Sequence, residues 1–111
     1  MNSLIEKLKR SRQSVVEAGG FTFTIRRPTD LEMFEMRGHI NPRNLIQFVV
    51  GWSGVREADL INGGDPHPVE FDAQLAEEWL SDRGDLFGVL SSSILDSYHH
   101  AKAKRGESEK N

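Results

Sequence analysis

The chain has no cysteine. That removes any disulfide framework and any thiol chemistry. No apolar run approaches the roughly 20 residues of a membrane-spanning helix, and the first residues carry no signal-peptide core, so the expected setting is intracellular. Phosphate loops and dinucleotide fingerprints are missing as well. The serines at 91–93 sit in a helical pattern with no glycine elbow around them, and the adjacent carboxylates Glu77 and Glu78 point apart on a helix. With no activated nucleophile and no convergent acid–base pair, the expectation is a non-catalytic binding or assembly protein without a cofactor.

What is present is one domain's worth of chain, 111 residues, 37% apolar and 28% charged. The net charge of −3 is unevenly spread: residues 1–50 carry roughly +3 and residues 51–111 roughly −6. That distribution speaks against a nucleic-acid binder with one basic face. A helix-turn-helix reading of residues 29–52 fails for a related reason, because a recognition helix needs outward polar and basic residues and this stretch offers mainly Gln47.

The most apolar stretch is residues 41–60. Asn41 suits a helix cap and Pro42 the first helical position. Leu45, Ile46, Val49 and Val50 then recur at helical spacing with Phe48 and Trp52 beside them, which predicts a buried central helix over residues 45–52, ended by Gly51 and the Ser53-Gly54 turn.

Upstream, residues 1–12 read as a basic arm or short helix with Leu4, Ile5 and Leu8 on one side. Phe21, Phe23 and Ile25 alternate with threonine, and Gly19-Gly20 is a two-residue turn. The predicted hairpin over residues 13–27 pairs Ala18 with Phe21, Val16 with Phe23 and Ser14 with Ile25. Pro28 stops it. Thr29 and Glu32 form a capping box for a helix that Gly38 ends, with Met33 and Met36 read as core filler.

Downstream, residues 56–70 form a polar break. Asp59, Asp65 and His67 match no metal-loop spacing, and Asn62-Gly63-Gly64-Asp65 is turn chemistry. Asp72 caps a helix carrying Leu75, Ala76, Trp79 and Leu80. A last helix follows, with Phe87, Leu90, Ile94 and Tyr98 as its apolar stripe and Gly84, Gly88 and Ser92 as a second stripe permitting close helix approach. Asp96 and His100 lie one turn apart but lack further ligands, so no metal is expected. Residues 105–111 read as a disordered tail. The fold class is thus α+β: an N-terminal hairpin on a mostly helical part, residues 29–104, of four to five helices.

Two stretches carry a family resemblance. One is Phe48-Val49-Val50-Gly51-Trp52-Ser53-Gly54-Val55, an apolar segment entering a W-x-G-V turn. The other is Pro68-Val69-Glu70-Phe71-Asp72, leading into helices that carry Trp79-Leu80 and Tyr98. Their order, after a strand entering a Thr-capped helix at Thr29, resembles the small tail assembly chaperones of long-tailed bacteriophages and prophages over residues 14–98. The resemblance implies a non-catalytic protein of the bacterial host cytoplasm, absent from the mature virion. It would self-associate and bind the tape measure protein, with the tail tube protein as a further partner, and without nucleic acid or membrane. The expected partner-contact residues are Trp52, Val55, Phe71, Trp79, Phe87 and Tyr98. A head–tail completion protein, a small DNA-binding regulator and an antitoxin-like protein are the competing readings.

Overall fold

A computed structural model describes residues 3–110, with side chains described through Glu107. The elements run α1 (Ser3–Arg10), β1 (Gln13–Ala18), β2 (Phe21–Arg26), α2 (Asp30–Glu35), α3 (Pro42–Leu45), a 3₁₀ turn (Ile46–Phe48), β3 (Val49–Ser53), α4 (Glu57–Leu60), α5 (Ala73–Ser81) and α6 (Gly84–Lys110). The fold is α+β. One antiparallel sheet of order β1-β2-β3 packs against α5 and α6.

The hairpin has the register that its turn dictates: Ala18 faces Phe21, Val16 faces Phe23 and Ser14 faces Ile25. Gly19 and Gly20 take φ of 59° and 86°, which the two-residue connection between right-twisted strands requires. Alternation then sends Phe23 and Ile25 into the core, fully buried, and leaves Val15 on the outer face, 65% exposed.

Residues 45–52 correct the expectation of a central helix. Asn41 does cap a helix, its Oδ1 accepting from Asn44 N–H at 3.0 Å, and Pro42 is the first residue of α3. The helix lasts one turn, tightens to 3₁₀ and becomes β3, so the part expected to be wholly helical contains the third strand. β3 pairs antiparallel with β2, Phe23 opposite Trp52 and Ile25 opposite Val49, with a bulge between Thr24 and Ile25. The β-branched pair Val49-Val50 and Trp52 gain more from the open ladder of β2 than from an isolated helical turn. At Gly51 an added Cβ would lie 3.3 Å from Thr24 Cβ, so glycine lets the strands approach there.

A bidentate ion pair ties β2 to α2. Arg26 donates from both terminal nitrogens to Glu32 at 2.8 Å, and Glu32 completes the Thr29 capping box by accepting the Thr29 N–H at 3.0 Å. The guanidinium also lies 4.6 Å from the centre of the buried Phe48 ring, joining the 3₁₀ turn to the same knot. Arg26 and Thr29 together hold the Glu32 carboxyl down at about 2, the Arg26 hydrogen bonds contributing most. Along α2 Met33 is partly buried and Met36, just past its end, is buried, whereas Leu31 and Phe34 are exposed at 68% and 66%.

The polar break is more ordered than its composition predicts. α4 forms within it, Ala58 N–H donates to Asp65 O at 2.8 Å, and Glu57 accepts the Asp65 N–H at 2.8 Å. Asp72 caps α5 by accepting from Gln74 and Leu75 N–H. In α6 the predicted stripe of Phe87, Leu90, Ile94 and Tyr98 is buried, and Leu86 joins it.

The expected tail at residues 105–111 is also corrected. α6 continues to Lys110, and Asn111 lies outside the described residues. Ala101, Lys102, Ala103, Lys104 and Arg105 are good helix formers, and Arg105 donates to Asp30 at 3.1 Å, fixing that end of α6 to the start of α2. At 27 residues α6 is about 40 Å long. This explains a radius of gyration of 15.6 Å, against roughly 13 Å for an ordinary domain of this length.

Candidate interaction groove

Trp52, Phe71 and Trp79 meet at one corner. The Trp52 ring stands edge-on to Phe71 at 5.1 Å and to Trp79 at 5.7 Å, and Trp79 receives Phe21 from the other side at 5.2 Å. Such edge-to-face contacts add about 0.5–1.5 kcal/mol each beyond simple burial. The Trp52 indole N–H donates to Val69 O at 2.8 Å, and Val69 N–H donates to Val55 O at 2.8 Å. Arg56 and Pro68 form a bridge between the same two segments. Gly54, at φ 80°, makes the turn. The W-x-G-V and P-V-x-F stretches are therefore the two sides of one knitted corner.

Most of that corner faces inward. Val55 is fully buried, and Trp79, Phe87 and Tyr98 are buried as well, while Trp52 and Phe71 are partly covered. The six residues expected to contact a partner do not form an exposed surface. Large aromatic side chains are the ones a domain of this size can least leave in water, and here they build its core.

The open apolar surface lies elsewhere. A groove of about 460 Å³ runs between α3, α5 and α6. Ile46, Leu80 and Phe87 give it apolar walls, while Gly84, Gly88 and Ser91 of α6 form its floor. Nothing lies within 4 Å of where a Cβ would stand on Gly84 or Gly88, so the floor is low because side chains are missing there and no neighbour fills the space. Its rim is charged: Arg43 of α3 and Glu77 of α5 approach to 3.7 Å across the top. The Oγ of Ser91 is shielded from solvent and has no hydrogen-bond partner among the described residues. The spacing of Gly84 and Gly88 was visible in the sequence. That α3 would form the opposite wall was not, because this depends on the chain reversal before β3.

A second hollow, between α2 and the later turns of α6, is floored by Met33, Phe34 and Ile40 and edged by Arg37 and Lys102. At its side Asp30 accepts from the Tyr98 hydroxyl at 2.7 Å and from Arg105 at 3.1 Å. These bonds, the Tyr98 one foremost, hold the Asp30 carboxyl below its ordinary range.

Asp59 is engaged by Arg56, which donates to both carboxylate oxygens. Among the described residues no three His, Cys, Asp or Glu side chains converge as metal donors, and no helix is long and apolar enough to cross a membrane. No family model, curated protein or solved structure matches the chain.

Proposed function

We propose that this chain is a tail assembly chaperone of a long-tailed bacteriophage or prophage, a non-catalytic protein that binds the tape measure protein and keeps it soluble while the tail forms. The observation that carries this reading is the groove between α3, α5 and α6. It is apolar inside, charged at the rim and floored by glycine, which is the form needed to seat the apolar face of a helix. A largely helical tape measure protein presents many such faces. Weak contacts repeated along it gain strength through avidity, especially if the chaperone self-associates, and still give way when tail tube subunits arrive. The junction of the Trp52 turn with the Val69 segment supports the reading in a second way, since the two stretches that carry the family resemblance form one structural unit.

On this reading the protein works in the host cytoplasm and is absent from finished particles. Co-expression with the tape measure protein of the same phage is expected to raise its soluble yield and to co-purify the two. A tape measure protein that stays insoluble and unbound would overturn the proposal. So would recovery of this chain as a permanent part of purified particles, which would favour a head–tail completion protein.

A further inference from the structure

The two hollows share one face of α6. At 100° per residue, Gly84, Gly88, Ser91, Leu95, Tyr98 and Lys102 fall within about 40° either side of a single line along the helix. Gly84, Gly88 and Ser91 line the first hollow, Tyr98 and Lys102 the second. The opposite walls are also consecutive: Arg37 and Ile40 border the second hollow, and Pro42, Arg43 and Ile46 border the first. From Gly84 to Lys102 the face extends about 27 Å, five helical turns.

Its two ends differ in charge. At the Gly84 end the two rim charges, Arg43 and Glu77, face each other and leave no net charge. At the Lys102 end Asp30 pairs with both Arg105 and Lys102, and Arg37 borders the same hollow, where Asp30 is the one carboxylate among the lining residues. The floor between these cations is exposed hydrocarbon, with Phe34 at 66% and Ile40 at 47%. An apolar floor beneath uncompensated positive charge suits one kind of occupant.

We propose that this face of α6 seats an amphipathic helix of about five turns from a partner protein, and that the partner carries a cluster of Asp or Glu at the end lying over Arg37 and Lys102. The proposal rests on the reading of the α6 groove as a helix seat and adds to it the polarity of the bound segment. Among the segments of a long helical partner, it selects those with an acidic end. It also makes binding salt-dependent, because these cations are exposed and their attraction is screened.

The test uses the full chain and designed 18-residue amphipathic peptides, each with the same leucine stripe and with glutamate, glutamine or lysine clustered at one end or the other. Binding is followed by fluorescence anisotropy at low and high salt. A glutamate-ended peptide is expected to bind about fivefold tighter than its glutamine counterpart at low salt, the lysine-ended one more weakly still, and the preference is expected to shrink at high salt. In the double variant Arg37→Glu with Lys102→Glu the order should invert, and circular dichroism confirms that this variant is folded. Equal binding of all peptides overturns the proposal, as does a preference that the double variant leaves unchanged. Self-association that displaces the peptides as chain concentration rises also overturns it, by giving the face to a second copy. If the peptides discriminate as expected but the tape measure protein is not rescued, the polarity stands and the chaperone reading falls. If rescue of the tape measure protein persists undiminished in the double variant, the chaperone reading stands and the polarity falls.

Discussion

Gly88 separates what the groove contributes to stability from what it contributes to binding. It lies inside α6, is exposed, and has nothing within 4 Å of the position a Cβ would take. Replacing an interior helical glycine by alanine ordinarily stabilises by about 1 kcal/mol, because the unfolded chain loses freedom and no neighbour is displaced. In a domain of this size that corresponds to a rise in Tm of about 4 °C. The same methyl group stands on the floor of the groove. Gly88→Ala is therefore expected to be more stable than the parent and to hold its partner less well, and Gly88→Leu, which fills the space between α3 and α6, to lose at least about fivefold in affinity. Overpacking an apolar seat costs about 1–3 kcal/mol, and 1.4 kcal/mol is tenfold. Urea and thermal denaturation measure the first effect, and the fraction of tape measure protein co-purified measures the second. Destabilisation by Gly88→Ala would refute the reasoning, since it would mean that the space above the floor is already occupied in the native protein. So would full rescue by Gly88→Leu.

Two further outcomes follow from the core and the Arg26 knot. Gly19→Ala combines a left-handed backbone with a Cβ that would collide with the end of the Leu86 side chain, which is 1% exposed and has little room to yield; Gly20→Ala meets nothing within 4 Å. Urea midpoints should show Gly20→Ala losing about 1–2 kcal/mol and Gly19→Ala about 2–4 kcal/mol, and equal losses would contradict the packing of α6 on the turn. Glu32 ionises more readily folded than unfolded, at about 2 against an ordinary 4.5, so its stabilisation is complete above 4.5 and is lost as the pH falls through about 2. Because the pair is partly exposed, the gain is about 1–2 kcal/mol after screening. The stability gap between the parent and Glu32→Gln should accordingly close on acidification through that window, and a gap independent of pH would show that the ionised pair is not its source.

The elements legible in the sequence are those fixed by neighbours along the chain. The register of β1 and β2 follows from Gly19-Gly20 and the alternation of Phe21, Phe23 and Ile25. The caps at Thr29, Asn41 and Asp72 follow from one side chain and the N–H groups two or three residues on. What escaped is decided at a distance. Leu45 to Trp52 is apolar on every side, so helix and strand fit its pattern equally, and the free ladder of β2, more than twenty residues back, decides for β3. Gly51, next to the last residue of that run and followed by Trp52, was the available signal, since a strand paired closely with β2 uses a glycine there. The candidate site escaped for a related reason. Aromatic residues mark both cores and interfaces, and only the packing shows that Trp79, Phe87 and Tyr98 belong to the core here. The groove is instead defined by small residues, Gly84 and Gly88, which a search for large contact residues passes over.

The corner where β3 meets α5 also equips the protein with its own optical probe. The chain's two tryptophans, Trp52 and Trp79, are 5.7 Å apart and nearly perpendicular, with the Arg83 guanidinium 5.8 Å from the second. Rings so close and so rigidly crossed influence each other's excited states, so tryptophan emission and the tryptophan bands of the near-ultraviolet dichroism report on this single junction. Loss of the third strand from the sheet would therefore be visible in tryptophan emission without any attached dye, while events confined to the far end of the long helix would leave that emission unchanged.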